Sequence, residues 1–315
     1  MTITIHLARL LVLAVIFVNG WTDAPNAIAT AVGSGALTFR RGVALAAVCN
    51  FAGAALACLC FPAVAGTIGG LVSFGGPRSA VTVLNAALLS IVLWAVMAWR
   101  FGLPTSESHA LLAGLSGGAL ALGGGLAQLN GRAWLMALAG LGLSLPAGVI
   151  AGRLFRWILN GRLRRPAAGQ RWAAALTAVL HGVQDGQKFL ALLLLTDGLD
   201  GSSDGSRLTM ALLTAAVMAL GTALGGKPIV EKVGTELASL SPADGLAADL
   251  GAGLVLALCS ALGLPASTTH AKVAAVFGAG RGADSRVMGQ MAGAWVLTFP
   301  ACGAMAFLLT KIMLL

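Results

Sequence analysis

The stretch Val18-Asn19-Gly20-Trp21-Thr22-Asp23-Ala24-Pro25-Asn26-Ala27-Ile28-Ala29-Thr30 puts an acid and two asparagines into an otherwise apolar part of the chain. A second version follows as Leu180-His181-Gly182-Val183-Gln184-Asp185-Gly186-Gln187-Lys188-Phe189-Leu190-Ala191. Gly20 aligns with Gly182, Asp23 with Asp185 and Ala29 with Ala191, each pair 162 positions apart. An independent motif repeats at 161 positions: Gly102-Leu103-Pro104-Thr105-Ser106-Glu107-Ser108-His109-Ala110 aligns with Gly263-Leu264-Pro265-Ala266-Ser267-Thr268-Thr269-His270-Ala271. Two different motifs at nearly one offset mean an internal duplication. The fold must therefore bring together two copies of one unit, each carrying polar motifs in apolar surroundings.

Composition sets the medium. Hydrophobic residues make up 58% of the chain and charged residues 10%, where a soluble domain has about 25% charged. With a mean hydropathy of +0.90, this is a polytopic membrane protein. Its 43 glycines show no collagen period and suit helices whose backbones approach closely in lipid. The net charge of +9 does not mark a nucleic-acid binder, because Arg153, Arg156, Arg162, Arg164, Arg165 and Arg171 cluster between the halves with no acid among them. That pattern reads as a basic cytoplasmic loop. Asp197, Asp200 and Asp204 form an acidic loop expected on the other side. Cys49, Cys58, Cys60, Cys259 and Cys302 make no CxxC pair and read as inert thiols. The N-terminal apolar run meets no small-residue cleavage site and reads as a retained first span.

Apolar segments fall at about 5–30, 41–64, 81–101, 109–127 and 133–155, then at 172–196, 207–225, 245–263, 270–280 and 287–313. A span needs roughly 20 apolar residues. The stretch after His270 is shorter and the one after His109 is rich in glycine, so both are expected as broken or re-entrant helices, tolerated at membrane depth where they line a cavity. Five crossings per half would make the halves inverted. The expected fold is an all-α polytopic membrane protein of two inverted repeats, about five transmembrane segments each, with broken or re-entrant helices at a central site. The expected units are residues 1–152, a basic loop 153–171, and 172–315. Duplicated halves with interrupted polar motifs suggest a transporter whose site lies between them.

The ionisable residues sharpen this. Before Asp185 the chain has two acids, Asp23 and Glu107, each inside a repeated motif. An ionisable group at membrane depth is costly and marks a functional site by default. On a helix, Asn19, Asp23, Asn26 and Thr30 share one face, a polar stripe in which Asn19, Asp23 and Asn26 are candidate cation ligands. Pro25 and Gly20 argue for a break in that helix. His181, Asp185 and Lys188 rebuild the arrangement, with Lys188 in the place of Asn26. The Pro-x-Ser motifs supply hydroxyls from Thr105, Ser106 and Ser108 and from Ser267, Thr268 and Thr269. Hydroxyls beside a helix N-terminus make an anion site. His109 and His270 read equally as substrate contacts, as proton carriers, or as groups orienting a neighbouring hydroxyl.

These motifs together resemble the inorganic phosphate transporter family (PiT), with its duplicated Asp signature and Gly-Leu-Pro-x-Ser repeats. Leu37-Thr38-Phe39-Arg40, Gly225-Gly226-Lys227-Pro228-Ile229-Val230 and Trp295-Val296-Leu297-Thr298-Phe299-Pro300 extend the resemblance over nearly the whole chain. It implies a cell-membrane symporter of inorganic phosphate with Na⁺ or H⁺, not an enzyme, with no cofactor beyond the coupling ion. By motif position Asp23, Asn26, Asp185 and Gln187 would serve ion and phosphate binding, with Na⁺ at Asp23, Asn26 and Asp185. Ser106, Ser108, Ser267, Thr268 and Thr269 would hold the anion. Lys188, three residues beyond Asp185 on the same helical face, is expected to pair with Asp185 or with the bound anion, the alternative being an ammonium that snorkels to the interface. A homodimer is an expected arrangement. Thr22, Gln184, Pro25, Glu107 and Lys272 depart from the family pattern, which leaves ion and anion preference open.

Sulfate is the alternative anion on the same fold. A remote rival is an intramembrane serine protease using Ser116 of Gly114-Leu115-Ser116-Gly117. That string is not duplicated, and it leaves both Asp motifs unexplained.

Overall fold

The computed structural model describes residues 2–60, 63–200 and 206–315, which form helices joined by short connections, with no strand among the described residues. The first half runs α1 (Thr2–Thr22), α2 (Asn26–Gly33), α3 (Phe39–Cys60), α4 (Ala63–Gly69), α5 (Pro77–Arg100), α6 (Glu107–Leu120) and α7 (Gly131–Leu159). The second runs α8 (Pro166–Asp200), α9 (Arg207–Leu224), α10 (Lys227–Glu231) with a π-helical turn Lys232–Glu236, α11 (Pro242–Ala261), α12 (Thr268–Ala279) and α13 (Ser285–Met313). At the repeat offset α8 corresponds to α1 and α2 together, and each later element finds its counterpart in order.

Among the described residues, seven helical stretches are long and apolar enough to cross a membrane: Ile3–Gly33, Phe39–Cys60, Pro77–Arg100, Gly131–Leu159, Arg207–Leu224, Pro242–Ala261 and Ser285–Met313. The segments after Pro104 and Pro265 are not among them. They form α6 and α12, of 14 and 12 residues, or about 21 and 18 Å at 1.5 Å per residue. Both are buried almost throughout, as short helices at membrane depth must be. The apolar period had concealed α4, α10 and the π-turn, which are too short to carry one.

Packing repeats like the sequence. Helix α3 lies along α8 and α1 along α9; α7 packs on α12 and α13 on α6. The α3–α8 contact explains a glycine pair. A Cβ on Gly182 would stand 2.5 Å from Asn50 O, and one on Gly186 would stand 2.8 Å from Ala54 Cα. Small residues four apart let the two backbones meet, so these glycines mark close packing and do not interrupt α8.

The charged ends differ from expectation in shape. The basic stretch is largely helical: Arg153 and Arg156 lie on α7 and Arg171 on α8. Trp157 and Trp172, exposed beside these arginines, fit an aromatic belt at a membrane interface. Asp197 belongs to α8 and pairs with Arg9 at 3.0 Å, so the acidic loop begins later than expected. Asp204 and the side chain of Asp200 lie outside the described residues.

Candidate functional site

Four elements converge on the repeated acids: the α1–α2 break, the middle of α8, and the N-termini of α6 and α12. The break follows from the backbone. Pro25 has no N–H to donate, and around it hydrogen bonds shift from i−4 to i−3 and i−5: Asn26 N donates to Asp23 O (2.9 Å) and Ala24 N to Asn19 O (3.2 Å). Asp23 therefore sits where the helix is interrupted, and its side chain turns to α12. Thr269 Oγ1 lies 2.5 Å from Asp23 Oδ1 and 3.0 Å from Thr105 O. Thr268 Oγ1 donates to Asp23 Oδ2 at 3.1 Å. Asn26 Nδ2 donates to Asp23 Oδ1 at 2.9 Å and reaches Thr269 Oγ1 at 3.4 Å, while Asn26 Oδ1 is buried without a partner.

The second half repeats these atoms around a different group. Lys188 Nζ donates to Asp185 Oδ1 (2.5 Å), Ser108 Oγ (2.7 Å) and Ala266 O (2.9 Å). Ser108 Oγ in turn lies 3.0 Å from Ala266 O. An ammonium has three donors, and here each has an acceptor. Asn19 Nδ2 donates to Asp185 Oδ2 at 3.0 Å, which ties the first repeat to the acid of the second.

His181 joins the two acids. Its Nε2 lies 3.4 Å from Asp185 Oδ2 and 4.0 Å from Asp23 Oδ2. Its Nδ1 stands 3.0 Å from Asn50 Oδ1; an amide oxygen only accepts, so in this pairing Nδ1 carries a proton. Asp23, His181 and Asp185 are close enough to share a metal ion. All three are buried, and burying two carboxylates together calls for positive charge between them.

Ser106 and Ser267 are helix N-caps. Their hydroxyls accept from His109 N (3.4 Å) and His270 N (3.2 Å), which leaves each hydroxyl proton to donate elsewhere. Trp295 Nε1 donates to Pro104 O at 2.9 Å and so fixes the entry to α6. Glu107 opens α6; it is buried, and its Oε1 has no partner.

Gln187 is committed to structure in this arrangement. Its Oε1 accepts from Val64 N (3.0 Å) and its Nε2 donates to Val183 O (3.1 Å), which seats α4 on α8. The histidines of the Pro-x-Ser motifs lie ring to ring at 4.7 Å. They line an apolar crevice of about 580 Å³ with Leu141, Trp295 and Phe299, and His270 Nδ1 is 3.3 Å from Leu141 O. Ser116 Oγ has no hydrogen-bond partner among the described residues.

Lys272 belongs to a separate network. It forms a buried ion pair with Asp249 and also donates to Ala27 O (2.9 Å) and Thr30 Oγ1 (3.0 Å). Thr30 Oγ1 lies 2.6 Å from Asp249 Oδ1. This pins α2 and α12 to α11. Asp249 and Asn50 were missed in the sequence, although each is a lone strongly polar residue within an apolar run, which is the signal that could have found them.

Comparison with known proteins agrees with the geometry. The phosphate transporter family model matches residues 19–172 and 166–306. The chain is 33% identical over 321 residues to a "Probable low-affinity inorganic phosphate transporter" of Bacillus subtilis (strain 168), covering 94% of this chain and 93% of that one. It is 34% identical over 313 residues to a protein of the same description from Rhizobium meliloti (strain 1021), covering 93% and 91%. A solved structure described as "The sodium-dependent phosphate transporter" has the same fold, with a TM-score of 0.86, 21% identity and 99% coverage of both chains. Family match and identity both extend over most of the sequence, and the chain belongs to the phosphate transporter family.

Proposed function

We propose that this protein is a secondary active transporter that carries inorganic phosphate across the cell membrane together with a cation, by alternating access between two inverted repeats. The observation that carries this reading is the meeting of the α6 and α12 N-termini at Asp23 and Asp185. Helix N-termini and hydroxyls attract an anion. The carboxylates repel it: at an effective dielectric of about 20 and a separation of roughly 4 Å, one such pair costs about 4 kcal/mol. A cation bound beside Asp23 reverses that sign, so each ion improves the binding of the other. This mutual dependence is what coupling requires.

In this reading the anion takes hydrogen bonds from the hydroxyls of Ser106, Ser267 and Thr268 and from the backbone N–H groups that open α6 and α12, with the Lys188 charge close by. The cation lies at Asp23 with Asn26 and Thr269. The name of the structural neighbour makes Na⁺ the ion to test before H⁺. Gln187 has no part in binding phosphate, because its amide is engaged with α4 and its own helix.

The test is uptake of radiolabelled phosphate by proteoliposomes under an imposed Na⁺ or proton gradient. Phosphate should accumulate above equilibrium under the Na⁺ gradient, and sulfate should compete weakly. Accumulation under neither gradient would reject coupled transport. Equal competition by sulfate would reject phosphate selectivity.

A further inference from the structure

The two half-sites use the same oxygen atoms at equivalent positions. In the first, Asp23 Oδ1, Thr269 Oγ1 and Thr105 O come together, with the Asn26 amide beside them. In the second, Asp185 Oδ1, Ser108 Oγ and Ala266 O come together, and Lys188 Nζ lies among them at 2.5–2.9 Å. A carboxylate, a hydroxyl and a backbone carbonyl are the hard oxygen donors that suit a small cation, and the second set already holds a positive charge. The geometry points to Lys188 as a tethered cation: its ammonium permanently fills the second of two pseudo-symmetric cation cages, and only the cage at Asp23 exchanges a free ion.

Three further observations support this. First, Lys188 is fully buried and all three of its donors are used, so it does not snorkel to an interface. Second, the first cage has unused capacity. Asn26 Oδ1, on a side chain only 1% exposed, is buried without a partner, and rotation of that amide would add another oxygen for an ion. Third, Lys188 is accompanied by a second exchange between the repeats. Thr268, which donates to Asp23, has Glu107 as its counterpart. Glu107 is buried within electrostatic reach of Asp23, Asp185 and Lys188. The second half has gained both an internal cation and a buried carboxyl group.

The consequence is stoichiometric. A transporter with two open cages would take an ion in each, whereas this chain has one cage left for an exchangeable ion. The inference rests on the cation site proposed at Asp23, and it is read out separately from transport.

The experiment is equilibrium binding of radiolabelled Na⁺ to the purified full chain in detergent, with folding checked by gel filtration and thermal unfolding. The wild type should bind a single Na⁺ per chain. Lys188→Asn installs the first-half residue and should double that stoichiometry. Asn26→Lys should fill the first cage and abolish Na⁺ binding. An unchanged stoichiometry in folded Lys188→Asn would overturn the inference, since a lysine that only staples α8 to α6 and α12 would lower the unfolding temperature without creating an ion site. Two Na⁺ on the wild type would overturn it as well. If Lys188→Asn aggregates, Asn26→Lys decides, and retained Na⁺ binding in that variant rejects the tethered cation. A wild type that binds no Na⁺ would defeat the sodium reading alone; gain of a site in Lys188→Asn would still support the tethered cation, and no gain would reject it.

Discussion

Asp23-Ala24-Pro25-Asn26 and Asp185-Gly186-Gln187-Lys188 occupy equivalent places in the two repeats, yet the first interrupts a helix and the second lies inside a continuous one of 35 residues. One position accounts for the difference in backbone. Pro25 cannot donate, whereas Gln187 continues the helix and uses its side chain to hold Val64 N. The next position accounts for the difference in charge. Asn26 leaves Asp23 among neutral hydroxyl and amide donors, while Lys188 closes an ion pair on Asp185. A duplicated unit has thus diverged into a broken half with an adaptable acid and a continuous half with a neutralised one.

If the halves differ in this way, their acids should fail differently. Asp185→Asn strands a buried ammonium, and breaking a buried pair costs about 3–5 kcal/mol, so it should lower thermal stability sharply and abolish uptake. Asp23→Asn should remain folded, because it keeps hydroxyl and amide neighbours, but it should lose cation-dependent uptake. Equal stability losses in detergent unfolding would contradict the asymmetry. Wild-type uptake and ion dependence in both variants would remove the acids from coupling.

Asp249→Asn should be about as destabilising as Asp185→Asn, since it strands Lys272. In refolded or low-temperature proteoliposomes its half-saturating phosphate concentration should stay near wild type. A large change in that constant would make the Asp249–Lys272 pair a third part of the site and blur the contrast.

A smaller effect is expected at the helix starts. Ser106→Ala and Ser267→Ala each remove a hydroxyl proposed to meet the anion. A hydrogen bond to a charged group is worth about 1.5–3 kcal/mol, or roughly ten- to a hundredfold in affinity. Phosphate titrations of both variants check this. Unchanged affinity in both would reduce these serines to caps.

Gln187→Ala should have the smallest effect, a stability loss of about 0.5–1.5 kcal/mol from lost neutral hydrogen bonds with phosphate affinity intact. A tenfold weaker phosphate affinity would return Gln187 to the anion site.

The two offsets account for what could be read in the sequence. They paired Asp23 with Asp185 and Thr269 with Ser108, because duplication writes equivalence of position into linear spacing. The polar face of Asn19, Asp23, Asn26 and Thr30 was visible for the same reason that any helical stripe is. What stayed hidden depends on contacts between elements that share no motif. Thr30 leaves the shared face to meet Asp249 and Lys272, and His181 finds Asn50 on α3. The close packing that Gly182 and Gly186 allow against α3 was hidden as well. Gln187 followed the family motif into the anion set, but which way it faces depends on α4, a helix of seven residues that no periodicity reveals.

The most direct measurement is phosphate-dependent entry of radiolabelled Na⁺ into proteoliposomes that contain the wild type or Asp23→Asn. Adding external phosphate should drive Na⁺ inward through the wild type, and the Asp23→Asn variant should give no phosphate-stimulated Na⁺ entry while remaining folded. Na⁺ entry through the wild type that is indifferent to phosphate, or phosphate-stimulated entry that survives in Asp23→Asn, would contradict coupling at the Asp23 half-site.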